Sequence, residues 1–338
     1  MTRPLVGLAA GLVLLVGATT PGAASAADGG GDDGGGSRQV FSLTDPRIDE
    51  SSGLVDRGAT MVTTDDSGSD PVLYLLDAAG RTTGVTTYAA RTLDVEALAP
   101  GRGDRVWVGD IGDNRRVRET ITVHDVEVLP GERTVAAPAY DLAYPDGPHD
   151  AESLLVGPDG RLLVVTKALF GGTAYAAPRR LDPDRTNRLE PVGRVAELAT
   201  DAALTRDGRH ALVRGPGEAG VYALPSWERL ATLPLPAQPQ GEGISVGPGG
   251  RVRVSSEGAG TPVWQVALPD EVRAVLRGGT SSGPSDEPAQ DPVEPGSGRP
   301  TAPTVGSWAR EHRAALAGGG IAVLALAGAG LALGRRRR

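Results

Sequence analysis

The sequence predicts an all-β chain folded as a five-bladed β-propeller, and three observations carry that expectation. The apolar runs of the body are short and separated by Gly, Pro, Asp and Asn turns, with no apolar repeat at helical spacing. One unit then recurs five times: an acidic residue, a short strand, a turn, a second short strand and a charged residue. Units begin at Glu50, Glu96, Glu152, the Asp201-Ala202 pair and Glu242, at intervals of 40 to 56 residues, close to the spacing of propeller blades. Finally, the fifth unit holds only three strands, while a strand QVFSLT ending at Thr44 is left over ahead of the first. Pairing that strand with the last blade closes the ring and removes an open sheet edge.

Taken in order, the first unit offers SSGLV, TMVTT, PVLYLLD and TGVTTY, its second strand ending at Asp65-Asp66. The second offers ALAP, RVWVGD ending at Asp110, TITVHDVEV, and an outer strand expected near 133–144. In the third, YPDGPHDAESLLVGPDGRLLVVTK runs through Glu152 to Lys167, the only lysine of the chain, before GTAYAAP and VGRVAEL. The fourth holds AALTRD, HALVR ending at Arg214, GVYALP and RLATLPL; the fifth GISV, VRVSSE ending at Glu257, and PVWQVALP. In each unit, acid and closing charge lie 12 to 15 residues apart. Six blades is the alternative, because 115–150 is long enough to hold extra strands. A β-sandwich does not account for the repeat.

The two ends of the chain read differently. Residues 1–26, with Arg3, an apolar run from Leu5 to Ala18 and Ala24-Ser25-Ala26, have the three-part pattern of a secretory signal. A Gly/Asp leader (27–38) precedes the body (39–276), and a Pro/Ser/Gly-rich stalk (277–313) follows it. Residues 314–334 carry no charge and suit a transmembrane helix, with Arg335 to Arg338 held in the cytoplasm by the positive-inside rule. The expectation is an exported, single-pass membrane protein with its propeller outside. The chain contains no cysteine, so this body must hold together by core burial alone, and a net charge of -8 argues against nucleic acid as a partner.

Register turns the repeat into a site. The innermost strand of a blade runs down the channel and the next returns antiparallel, so the start of one and the end of the other meet at one mouth. Glu50, Glu96, Glu152, Asp201 and Glu242 are therefore expected there with Asp65, Asp66, Asp110, Lys167, Arg214 and Glu257. So many acids repel one another unless something compensates. Ca²⁺, which takes six to eight oxygen ligands, is one compensation, with Glu50, Glu96, Glu152 and Glu242 its candidate ligands. Internal pairing with Lys167 and Arg214, or capping of backbone N–H groups, are the structural ones. Asp113 and Asp150 belong to the same candidate surface through GDIGDN and HDAESL, although strings of Asp, Gly and Asn are also ordinary turn chemistry. His149 beside Asp150 is a candidate acid or base. No Ser-His-Asp order, zinc set or phosphate-cradling loop is present. Twelve aromatic residues are too few for a stacking groove that binds sugars, and Trp107 and Trp264 are expected at equivalent strand positions between blades.

DESSGL (49–54), DDSGSD (65–70), GDIGDN (109–114), YPDGPHDAESL (144–154) and SSEG (255–258) together resemble the secreted bacterial propellers of the phytase-like, TolB-like and YVTN-like groups. The phytase-like resemblance implies calcium at an acidic channel mouth and hydrolysis of phosphate esters, for which Lys167 and Arg214 are few cations. Two functions are expected to compete. One is a surface-anchored module that binds an extracytoplasmic ligand or protein partner through its acidic mouth. The other is an extracytoplasmic hydrolase of phosphoester or glycosidic bonds using the mouth carboxylates.

Overall fold

A computed structural model describes residues 36–66 and 70–278. The signal and membrane-helix assignments, and the stalk beyond Gly278, fall outside those residues, while the leader assignment ends on Arg38, which already belongs to the first strand; among the described residues no helix is long and apolar enough to cross a membrane. The described chain is a five-bladed propeller.

Strand β1 (Arg38–Ser42) comes first, followed by blade 1: β2 (Ser51–Asp56), β3 (Thr60–Asp65), β4 (Val72–Asp77) and β5 (Thr82–Tyr88). Blade 2 is β6 (Val95–Pro100), β7 (Arg105–Asp110) and β8 (Ile121–Glu127), then, beyond the intervening β9 (Gly131–Val135), β10 (Ala139–Ala143). Blade 3 is β11 (Ala151–Val156), β12 (Leu162–Thr166), β13 (Thr173–Ala176) and, after the two-residue β14 (Asn187–Arg188), β15 (Glu190–Arg194). Blade 4 is β16 (Asp201–Leu204), β17 (His210–Arg214), β18 (Glu218–Ala223) and β19 (Glu228–Pro234). Blade 5 is β20 (Gly241–Val246), β21 (Val252–Ser256) and β22 (Pro262–Gln265), and a short helix α1 (Asp270–Leu276) follows it.

Ring closure follows the expected route. β1 pairs antiparallel with β22, from Arg38 opposite Gln265 to Ser42 opposite Pro262, and supplies the fourth strand of blade 5. The innermost strands β2, β6, β11, β16 and β20 each pack against the next around the channel, and β20 returns to β2. Apolar side chains form five buried clusters, one between each adjacent pair of blades. Each blade thus buries both faces against its neighbours, which is why its two central strands are largely buried and rich in apolar residues.

The stretch 133–144 departs from the single outer strand expected of it. β9 leaves blade 2 and runs parallel to β5 on the edge of blade 1, from Gly84 opposite Gly131 to Tyr88 opposite Val135. Only β10 stays, antiparallel to β8, and its free edge accepts β14 from blade 3 in parallel. Gly84 admits the first crossing, since a Cβ there would stand 2.6 Å from Leu129 O. The length that left a sixth blade open is spent on these edge strands, which strap blade 2 to blade 1 and blade 3 to blade 2. Trp107 lies on the second strand of its blade and Trp264 on the third of its own, so the two positions are not equivalent. Both are half-buried against inter-blade clusters.

Candidate functional site

Strand pairing sorts the charged residues of the channel mouth into two tiers that the sequence alone runs together. Ser51 lies opposite Asp65, Val95 opposite Asp110, Ala151 opposite Thr166, Asp201 opposite Arg214 and Gly241 opposite Ser256. The residues that follow the first member of each pair are Ser52, Glu96, Glu152, Ala202 and Glu242. In β6, β11 and β20 the register slips at the glutamate, so Glu96, Glu152 and Glu242 each occupy a β-bulge. A bulge re-aims the side chain it displaces, and these three define the inner tier.

Glu50 belongs one tier out. Asp66 N donates to Glu50 O, Gly112 N to Asp94 O, Lys167 N to Asp150 O and Glu257 N to Gln240 O, so Glu50, Asp94, Asp150 and Gln240 are counterparts. The same bonds make Asp66, Gly112, Lys167 and Glu257 counterparts on the returning strands.

The remaining charges build the wall. Asp65 Oδ1 accepts from the backbone N–H groups of Asp49 (3.0 Å) and Glu50 (2.8 Å). Asp110 does the same for Leu93 (3.2 Å) and Asp94 (2.9 Å), and Arg118 Nη1 donates to it at 2.9 Å. Asp201 is fully buried; its Oδ2 accepts from Ile244 N on the next blade at 2.8 Å, and desolvation holds its carboxyl above the usual range despite that bond. Arg214, also fully buried, donates to Gly243 O (2.6 Å), Ser255 O (2.7 Å) and Gln238 Oε1 (2.6 Å) and so staples blade 4 to blade 5. Asp150 Oδ1 accepts from Asp113 N at 2.9 Å, and Asp113 Oδ2 from Arg118 N at 2.7 Å, so GDIGDN is a hydrogen-bonded turn. His149 faces Asp146 (3.1 Å) and Tyr175 Oη (3.2 Å).

Facing the channel are Asp66, Asp94, Glu96, Glu152, Glu242 and Glu257, with Lys167 among them. Burial, then the charges of Glu152, Asp66 and Asp94, pushes the Glu96 carboxyl up to about 10. Glu152 rises to about 8 by burial in spite of its ion pair with Lys167, and its Oε2 has no partner. Burial carries Asp66 to about 7 with help from Asp94, and Glu242 to about 7 against the pull of Lys167. Asp94 and Glu257 shift upward for the same first reason. Residues from blades 1, 2, 3 and 5 thus feel one another's charge across the channel.

The tightest grouping is Asp66, Asp94 and Glu96, one carboxylate oxygen of each lying within 4.8 Å of the others. Blade 2 makes room for it. Where other blades place Asp66, Lys167 or Glu257, it has Gly112; a Cβ there would overlap Asp94 Oδ2 and stand 2.8 Å from Glu96 Oε1. Glu96 is only 6 % exposed, yet its carboxylate has no hydrogen bond or ion pair to another described residue. Two oxygens on one Ca²⁺ ion, each about 2.3–2.6 Å from it, can be at most about 5 Å apart. The set therefore fits one shared ion. Asp94 was absent from the residues read off the sequence, although Asp94-Val95-Glu96 repeats as Asp150-Ala151-Glu152 in the next blade.

No protein-family model matches the chain, and no curated protein does. Among solved structures it is similar to a gluconolactonase from Xanthomonas campestris (15% identity over 68% of this chain and 88% of that one, TM-score 0.43). It is also similar to a glutaminyl cyclase from Myxococcus xanthus (12% identity, 69% and 97%, TM-score 0.44). A virginiamycin B lyase from Staphylococcus aureus is a third (11% identity, 64% and 66%, TM-score 0.37). These are distant likenesses to propeller proteins and assign no chemistry to the mouth described above.

Proposed function

We propose that this protein is an extracytoplasmic, membrane-tethered propeller that binds its ligand through the acidic channel mouth, with a Ca²⁺ ion held by Asp66, Asp94 and Glu96. The observation that carries the reading is the convergence of those three carboxylates around the Gly112 notch, with Glu96 buried and unpartnered among the described residues. Burying like charges is costly unless a cation compensates, and the cations of the wall are already engaged: Lys167 with Glu152, Arg118 with Asp110, Arg214 with backbone carbonyls. Of the four ligands first expected, Glu96 stays in the set, while Glu50, Glu152 and Glu242 are left to the rest of the mouth.

Thermal unfolding of the purified chain, in EDTA and then with added Ca²⁺, tests this. A ligand of the folded state at a hundred times its Kd adds about 2.7 kcal/mol, or about 5 to 10 °C for a body of this size. Glu96→Gln should remove the shift. A wild-type melting point indifferent to calcium removes the metal reading.

One observation supports the hydrolytic alternative. Burial raises both the Glu96 and Glu152 carboxyls, the charge of Glu152 raises Glu96 further, and Lys167 pairs with Glu152. Paired acids with perturbed titration are the raw material of general acid catalysis. A panel of phosphomonoesters and glycosides assayed with calcium decides it: no turnover on any member eliminates the hydrolase.

A further inference from the structure

Arginine gathers where the closing strand meets the last blade. β20 begins at the mouth, so the Gly249-Gly250 turn beyond it, Arg38 at the start of β1 and Gln265 at the end of β22 lie on the opposite face of the ring. A cavity of about 370 Å³ opens there. Arg38, Arg251 and Arg273 line it from three separate segments: β1, the turn into β21, and α1. Val252, Val266 and Leu268 supply its apolar part, and no acidic residue lines it.

A guanidinium stays charged throughout the working pH range, and compensation from within the protein is thin here. Arg273 pairs at 2.9 Å with Asp270, whose side chain is 95 % exposed, and Arg38 Nη2 donates to the neutral Gln265 Oε1 at 3.1 Å. Glu271, the other exposed acid of α1, does not line the cavity. Asp56 is taken up by Arg253 at 3.3 Å. Burial lowers the pKa of Arg253, Asp56 offsets part of that, and the charges of Arg251 and Arg38 lower it further, so these arginines repel one another. Arg251 has neither a hydrogen bond nor an ion pair among the described residues, and its Nε is sealed from solvent without an acceptor. A merely solvated arginine leaves its N–H groups to water; Arg251 does not. In a chain whose acids outnumber its Lys and Arg by 42 to 34, this cavity carries the opposite sign.

We propose that this cavity binds a phosphate or sulfate monoester, its oxyanion held by Arg251 with Arg38 and Arg273 and its organic part set against Val252, Val266 and Leu268. The guanidinium fork takes two oxygens of a tetrahedral anion at once, and three cations suit a phosphate dianion better than a single carboxylate. The volume lies at the lower end of the range for small-molecule sites, which limits the organic part to a small one. The anion joins the closing strand, blade 5 and α1. Nothing in this site draws on the acidic mouth or on its cation.

The test is calorimetric titration of the full purified chain with glycerol 1-phosphate at an ionic strength fixed with chloride, after calcium has been stripped with EDTA and the chelator dialysed away. Saturable binding at one site is expected, weakened at least about tenfold by Arg251→Gln. Arg102→Gln, which changes an exposed arginine in the turn after β6, should bind as wild type does. In chloride alone Arg251→Gln should melt no lower than wild type, because it removes a repelled charge and no contact. Failure to saturate, equal affinity in Arg251→Gln, or a lower melting point for that variant without ligand overturns the proposal. Sedimentation with vesicles separates the two sources of the same chemistry. Binding to phosphatidic acid vesicles in excess of phosphatidylcholine vesicles, lost in Arg251→Gln, identifies a lipid headgroup; titration by the ester without that excess identifies a soluble ligand. The two sites fail separately: loss of ester binding leaves the calcium reading of the mouth intact, and a missing calcium shift leaves this one.

Discussion

At the scale of single residues, the mouth depends on one missing side chain. Gly112 has no Cβ, and the carboxylates of Asp94 and Glu96 lean into the vacated space. Gly112→Ala should therefore displace two flexible carboxylates rather than backbone. We expect stability without calcium to stay within about 0.5 kcal/mol, as for most substitutions that spare the core, and calcium affinity to fall by about tenfold, about 1.4 kcal/mol; calorimetric titration of wild type and variant measures both. The same acids predict a pH dependence. Their folded-state values, about 10 for Glu96, 8 for Glu152 and 7 for Asp66 and Glu242, lie above the ordinary 4.5 for Glu and 3.8 for Asp. The folded chain thus binds more protons than the unfolded one, so the stability these groups contribute is complete below about pH 4 and lost as pH rises through about 7 and beyond. In EDTA the melting point should fall with pH across that window, less steeply in Glu96→Gln, and calcium should flatten the fall. A wild-type slope matching that of Glu96→Gln would mean that Glu96 ionises normally.

At the scale of elements, the five units, their strands and the closing strand were legible because blade cores impose apolar runs and turns impose Gly, Pro and Asp. The edge strands around blade 2 were not. β9 is almost wholly exposed and pairs in parallel on a blade other than its own, and neither property leaves an alternation in the sequence. Gly84 was the available sign, an isolated glycine inside a strand where another backbone approaches. Site legibility failed for a related reason. Counting from the first acid of each unit placed Glu50 and Asp201 beside Glu96, whereas pairing puts their tiers elsewhere, because bulges shift the count in some blades and not in others. Side chains cannot show from sequence alone that Asp65 and Asp110 are consumed by backbone N–H groups. Arg214 gives the element-scale prediction. Its guanidinium joins blade 4 to blade 5 from a position without solvent, and burial lowers its pKa to about 10. Arg214→Met should cost about 3 to 5 kcal/mol, the range for breaking a buried charged network, and denaturant unfolding should show it as a lower midpoint with an unchanged slope.

At the scale of the whole molecule, stability is a property of the closed ring. Each blade offers two apolar faces and satisfies neither alone, so an interface lost anywhere exposes surface on two blades. β1 is where the ring is fastened: it covers the edge of β22, and Phe41 and Leu43 join the cluster between blades 5 and 1. Phe41→Ala should expose little new polar backbone but remove a buried aromatic side chain, at a cost of about 3 to 5 kcal/mol. Deleting residues 38–43 does more. It uncovers the row of N–H and C=O groups along β22, an edge that pairs with whatever strand is near. We expect the deleted chain to melt at lower temperature than Phe41→Ala and to self-associate as concentration rises, which sedimentation velocity would detect. Phe41→Ala, its edge still covered, should stay monodisperse wherever wild type does. If the deletion lowers stability no further than Phe41→Ala and leaves the sedimentation profile unchanged, blade 5 is held by its contacts with blade 4 and α1, and the closing strand is a surface addition to an already complete ring. If the two variants separate as expected, the fastening works through backbone pairing as much as through the apolar cluster. That would explain why a strand from the far end of the body, not a fourth strand of its own, completes the last blade.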